Sequence, residues 1–73
     1  MFLDEAPIHI PLKITSLRED FISSRLKQMD IKPGTVLSIV RKSYFGGPLI
    51  IHLGTILIGI RREEAKNIRV TVE

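Results

Sequence analysis

Apolar and polar positions alternate from the start of the chain: Ile8, Ile10, Leu12 and Ile14 interleave with His9, Pro11, Lys13 and Thr15. A period of two is the signature of a strand with one face in and one face out. Pro7 and Pro11 cannot donate to a ladder, so the first residues are expected to be extended and edge-like, with the paired strand running from Leu12 to Leu17. The period then changes. Phe21, Ile22, Leu26 and Met29 fall on one side at helical spacing, and Ser16-Leu17-Arg18-Glu19 fits a capping box. A helix is predicted from Arg18 to Met29. Asp30 stands where a left-handed residue ends such a helix, and Ile31 can fold back as the apolar contact of that cap. In Lys32-Pro33-Gly34, Pro33 fixes φ at the second position of a β-turn and Gly34 supplies φ > 0 at the third, which predicts type II.

From Thr35 to Lys42 the chain is β-branched and apolar on both faces near its start, so a central or curved strand is expected. Ser43 to Pro48 is a loop, because Gly46 and Gly47 allow positive φ and Pro48 stops a strand. Leu49, Ile51 and Leu53 point one way and Ile50 and His52 the other, followed by a hairpin at Gly54-Thr55. Ile56, Ile58 and Ile60 share a face. Gly59, inside that strand, predicts a bulge, a bend or a close approach by another backbone. Arg61 to Lys66 suits one helical turn, and Ile68, Val70 and Val72 alternate in a last strand. Pro33, Gly34, Gly46, Gly47, Gly54 and Gly59 are thus the predicted turn and bend positions. The pattern is mainly β with one helix: about five short strands in a single domain over residues 1–73. Such strands close best as a small β-barrel, which removes exposed edges.

Composition narrows the classes. With 44% hydrophobic residues, the chain can bury enough apolar surface to fold. It has no Cys, so neither a disulfide framework nor a thiolate metal site is available. No apolar run approaches the roughly 20 residues that span a bilayer. The opening MFLDEAP has two acids and no basic n-region, so no signal peptide is expected and the cytoplasm is the natural compartment. Eleven Lys and Arg against eight acids give a net charge of +3. The bases are scattered, with doublets at Arg41-Lys42 and Arg61-Arg62. This surplus permits nucleic acid, an acidic protein or anionic lipid as partner and demands none.

The order of these elements resembles the FeoA domain, the small ferrous iron transport protein A. The residues that carry the likeness are Arg25-Leu26, Asp30-Ile31, Pro33-Gly34, Phe45-Gly46-Gly47-Pro48, Gly54, Ile58-Gly59-Ile60-Arg61, Glu64-Ala65 and Ile68-x-Val70. They extend over nearly the whole chain. Asp30 replaces the family's usual cap Gly, Tyr44 stands where Pro is common, and Gly47 stands where Asp is common. The resemblance implies an SH3-like β-barrel and a cytoplasmic accessory to a membrane ferrous iron transporter that bears a GTPase domain. The same barrel occurs in some iron- or manganese-dependent repressors. This chain carries no winged-helix reader or metal-sensing domain, so the transport accessory is the better match.

The candidate chemistry agrees with a non-enzymatic role. No nucleophile motif is present, and no cofactor is implied. His9 and His52 lie far apart with no adjacent ligand spacing, so no metal site is assigned. Gly46-Gly47-Pro48 lacks the Lys and the following helix of a phosphate loop. The Ser43–Pro48 loop is the best binding feature. Either Phe45 plugs the barrel mouth, or Tyr44 and Phe45 face solvent among bases, which suits protein recognition. The contact candidates are Arg41, Lys42, Tyr44, Phe45, Arg61 and Arg62. The expected partner is the transporter, with membrane contact only through it and with no nucleic acid; a homo-oligomer is compatible. A nucleic-acid-binding barrel is the competing reading, short of the several surface aromatics that such modules stack on bases. A direct transition-metal binder is the other.

Overall fold

A computed structural model describes all residues, Met1–Glu73. Five strands form one antiparallel sheet: β1 (Leu12–Leu17), β2 (Val36–Lys42), β3 (Leu49–Leu53), β4 (Ile56–Ile60) and β5 (Ile68–Val72), in the spatial order β4-β3-β2-β1-β5. Two short helices, α1 (Ser24–Gln28) and α2 (Arg62–Ala65), and one-turn 3-10 helices at Leu3–Glu5 and Glu19–Phe21 complete it. Bulges between Ile14 and Ser16 in β1 and between Ile39 and Arg41 in β2 bend the sheet until it curls on itself. The molecule is accordingly nearly isometric, 25 × 25 × 24 Å. The inward residues are those the alternation selects: Leu12 and Ile14, Leu37 and Ile39, Leu49 and Ile51, Ile58 and Ile60, Ile68 and Val70, all buried. No helix is long and apolar enough to cross a membrane.

The predicted helix from Arg18 to Met29 is broken in two. The Arg18 amide donates to the Asn67 carbonyl (2.9 Å), so the β1–β5 ladder runs past Ser16, and Ser16 pairs with Arg69 instead of capping a helix. Ile22 is extended (φ −107°, ψ 127°) and buried. The cap is Ser23, whose hydroxyl accepts from the Leu26 amide (3.4 Å). The Ser23 amide in turn donates to the buried Glu64 carboxylate (2.9 Å). That contact comes from the far end of the chain, so local sequence could not announce it. Phe21 loses its place in the apolar stripe and is exposed, with the Arg18 guanidinium 5.0 Å from its ring.

The helix end has the expected form. Asp30 takes φ 63°, the Ile31 amide donates to the Leu26 carbonyl (3.2 Å), and the Asp30 amide donates to the Lys27 carbonyl (3.2 Å). These are the two bonds of a Schellman motif, and buried Ile31 sits against buried Leu26. The following turn closes with the Thr35 amide on the Lys32 carbonyl (3.1 Å), and Gly34 takes φ 95°.

Four further expectations are corrected. The N-terminal segment is not simply extended: Leu3–Glu5 makes a turn of helix that buries Leu3 and Ala6. Gly59 forms no bulge; it pairs in regular register with Ile50, and its carbonyl accepts from the Arg25 guanidinium (3.0 Å). The edges are covered rather than removed, because β4 and β5 do not pair with each other. Met1 exchanges backbone bonds with Val70 on the outer side of β5 (2.8 and 3.3 Å), and Arg25 reaches the outer side of β4. The count of one helix becomes two, since the Arg61–Lys66 turn is a short helix of its own.

Candidate functional site

The loop between β2 and β3 is built as a tight turn. The Ser43 amide donates to the Pro48 carbonyl (3.3 Å) and the Gly47 amide to the Tyr44 carbonyl (3.3 Å). The two central residues, Phe45 and Gly46, both have positive φ, 60° and 76°. That is the pattern of a type I′ turn, whose first central position favours Asn, Asp or Gly. A bulky residue there is an outlier. Gly47 has a different requirement: a Cβ at that position would lie 2.7 Å from the Ser43 Cβ, so the close approach excludes any side chain.

Both aromatic rings face solvent. Tyr44 is 88% exposed and Phe45 is fully exposed. The alternative that Phe45 plugs the barrel mouth is therefore wrong: the turn carries the ring outward.

The bases divide into two pairs. Arg62, at the start of α2, reaches across to the loop. Its Nη2 donates to the Ser43 carbonyl (2.8 Å) and its Nε to the Gly47 carbonyl (3.3 Å). Lys42 Nζ donates to the Asp4 carbonyl (3.1 Å). These two have internal partners, whereas Arg41 and Arg61 are exposed. A hollow of 370 Å³ lined by Arg41, Lys42, Ser43 and Tyr44 lies on one side of the loop. Another of 340 Å³ lies on the other, lined by Gly46, Pro48, Arg61, Arg62 and Glu63. The fold thus joins residues 41–48 and 61–63 into one surface.

Sequence reasoning missed the roles of Arg62 and Glu64. The buried Glu64 carboxylate accepts from the Ser23 amide and, at 3.4 Å, from the Arg61 amide. It fixes the first turn of α2, and so the base of the Arg62 side chain. The only sequence signal was the Glu64-Ala65 pair at the end of a charged helical turn. Elsewhere, His9 and His52 are both exposed, and no three His, Asp or Glu side chains are placed to hold a metal. No buried side-chain nitrogen or oxygen lacks a partner. What this surface can do chemically is present two rings and two exposed cations to a partner.

The FeoA domain family model matches residues 1–72. Among solved structures, iron(II) transport protein A from Clostridium thermocellum is 29% identical with a TM-score of 0.81, over 99% of this chain and 45% of its own. This chain thus spans less than half the length of that relative. The FeoA-like protein from Clostridium acetobutylicum is 28% identical with a TM-score of 0.78, over 99% and 85%. A zinc complex of FeoA from Stenotrophomonas maltophilia, described as a prokaryotic SH3 domain protein and suggested as a ferrous iron transport activating factor, is 29% identical with a TM-score of 0.77, over 97% and 89%. No curated protein matches the chain.

Proposed function

Because the chain belongs to the FeoA domain family, we propose that it is a non-enzymatic accessory of ferrous iron uptake that docks, in the cytoplasm, on the cytosolic part of a membrane iron transporter bearing a GTPase domain. The family is linked to ferrous iron transport, and the fold is an SH3-like β domain, an architecture suited to binding. The observation that carries the docking role is the Ser43–Pro48 loop, with two adjacent aromatics exposed to water on a braced turn. Aromatic side chains and arginines are the residue types that protein interfaces enrich. In this reading the cargo ion is handled by the partner and not by this chain.

The test is an amide NMR titration of the labelled chain with the transporter's cytosolic GTPase domain, beside an anaerobic Fe(II) titration. Shifts confined to residues 41–47 and 61–63 on adding the domain, and none on adding Fe(II), support the reading. A saturable, stoichiometric Fe(II) response around His9 or His52 with silence toward the domain would replace it with direct metal binding.

A further inference from the structure

Phe45 combines two features that do not favour the free protein. Its ring buries nothing, and its backbone occupies a left-handed conformation that a bulky residue adopts at a cost. Strain held in place by surrounding structure is a pointer to function. Here the bracing is identifiable: the Arg62 guanidinium spans the loop from the Ser43 carbonyl to the Gly47 carbonyl, and the Gly47 backbone packs close against the Ser43 side chain. A ring held out on a rigid turn is ordered before it meets its partner, so less entropy is lost on binding. The charges around it have one dominant sign. Arg41 on one side and Arg61 on the other are exposed; Glu63 alone among the residues lining the two hollows is acidic.

We infer that the loop is a preorganised anchor for a protein surface of complementary form: an apolar cleft that receives Phe45, flanked by carboxylates that meet Arg41 and Arg61, with Arg62 as the positioning residue that holds the anchor. This rests on the docking role proposed above and specifies its partner chemistry. The anchor supplies affinity by desolvation of a buried ring. The flanking pairs supply orientation and encounter rate, and salt weakens them.

The experiment measures binding of the full chain to the transporter's cytosolic domain by calorimetry and NMR at low and raised salt. Phe45→Ala should fold normally and bind about 30-fold more weakly. Arg41→Glu and Arg61→Glu should each weaken binding and flatten its salt dependence. Arg62→Gln should shift the amide signals of residues 43–47 in the free protein and weaken binding, and Arg62→Lys, which keeps one donor to the loop, should restore part of both. If the wild-type chain fails to bind the domain at any salt, the docking role falls and this inference with it. If the wild type binds but Phe45→Ala binds equally, or salt has no effect, the docking role stands and the inference is overturned. Phe45-dependent binding to vesicles of phosphatidylcholine with phosphatidylglycerol, without the domain, would also overturn it, in favour of a lipid surface.

Discussion

Glu64→Ala should remove a large part of the stability of this fold. The Glu64 side chain is buried and accepts from two backbone amides, Ser23 at 2.9 Å and Arg61 at 3.4 Å. These are the amides at the starts of α1 and α2. Neither helix is long enough to hold itself, with five and four residues, so each depends on its cap and on packing. Hydrogen bonds to a charged acceptor contribute about 1.5–3 kcal/mol each, and a buried donor left unpaired costs about 1–3 kcal/mol. Both sites are only partly buried, so water recovers some of that. A loss of about 3 kcal/mol is expected for Glu64→Ala. Glu64→Gln keeps one acceptor and turns an NH₂ toward the other amide, for a loss of about 1–2 kcal/mol. A chain of this length has about 4–11 kcal/mol in total, so Glu64→Ala approaches the threshold. The assay is urea unfolding followed by circular dichroism, with Glu63→Ala, at an exposed neighbour, as the control within about 0.5 kcal/mol of wild type. A Glu64→Ala variant as stable as that control would refute the account of the two helix starts.

Gly34→Val should lose about 1 kcal/mol or more, because φ 95° is strained for a β-branched residue; an unchanged thermal midpoint would show the turn can be made another way. Ser23→Ala should lose about 1 kcal/mol in the same unfolding assay through the missing cap to Leu26, whereas Ser16→Ala, in the strand, should not show that loss. Phe45→Asn should leave the protein about 0.5–1 kcal/mol more stable, since Asn tolerates φ 60° and no burial is sacrificed. The same variant should bind the transporter domain more weakly by calorimetry. Destabilisation by Phe45→Asn would mean that the ring has a packing role in the free protein.

Much of this architecture was legible along the chain. The boundaries Leu12–Leu17 and the two faces of β3 and β5 follow from alternation, because a strand's side chains must switch faces at each residue. The Asp30–Ile31 cap and the Pro33–Gly34 turn follow from backbone chemistry confined to a few neighbouring residues. Tertiary contacts decided the rest. Ser16 carries the local capping-box signal and Ser23 does not; Asn67 claimed the strand past Ser16, and Glu64 claimed the Ser23 amide. Gly59 reads as a bulge, a bend or a close backbone approach, yet the bulges fell at Ile14–Ser16 and Ile39–Arg41, where the sheet has to curl over its core. The candidate site divides in the same way. Tyr44 and Phe45 could be picked out as adjacent aromatics in a glycine loop, but whether they plug the core or face water depends on the turn that Arg62 braces from 15 and 19 residues away. The sequence by itself determined the strands, the turns and most of the core, because those choices are settled by local sterics and the period of hydrophobicity. Only the folded chain decided which cap is used, which cation is free and where the rings point, because each depends on a partner far along the chain.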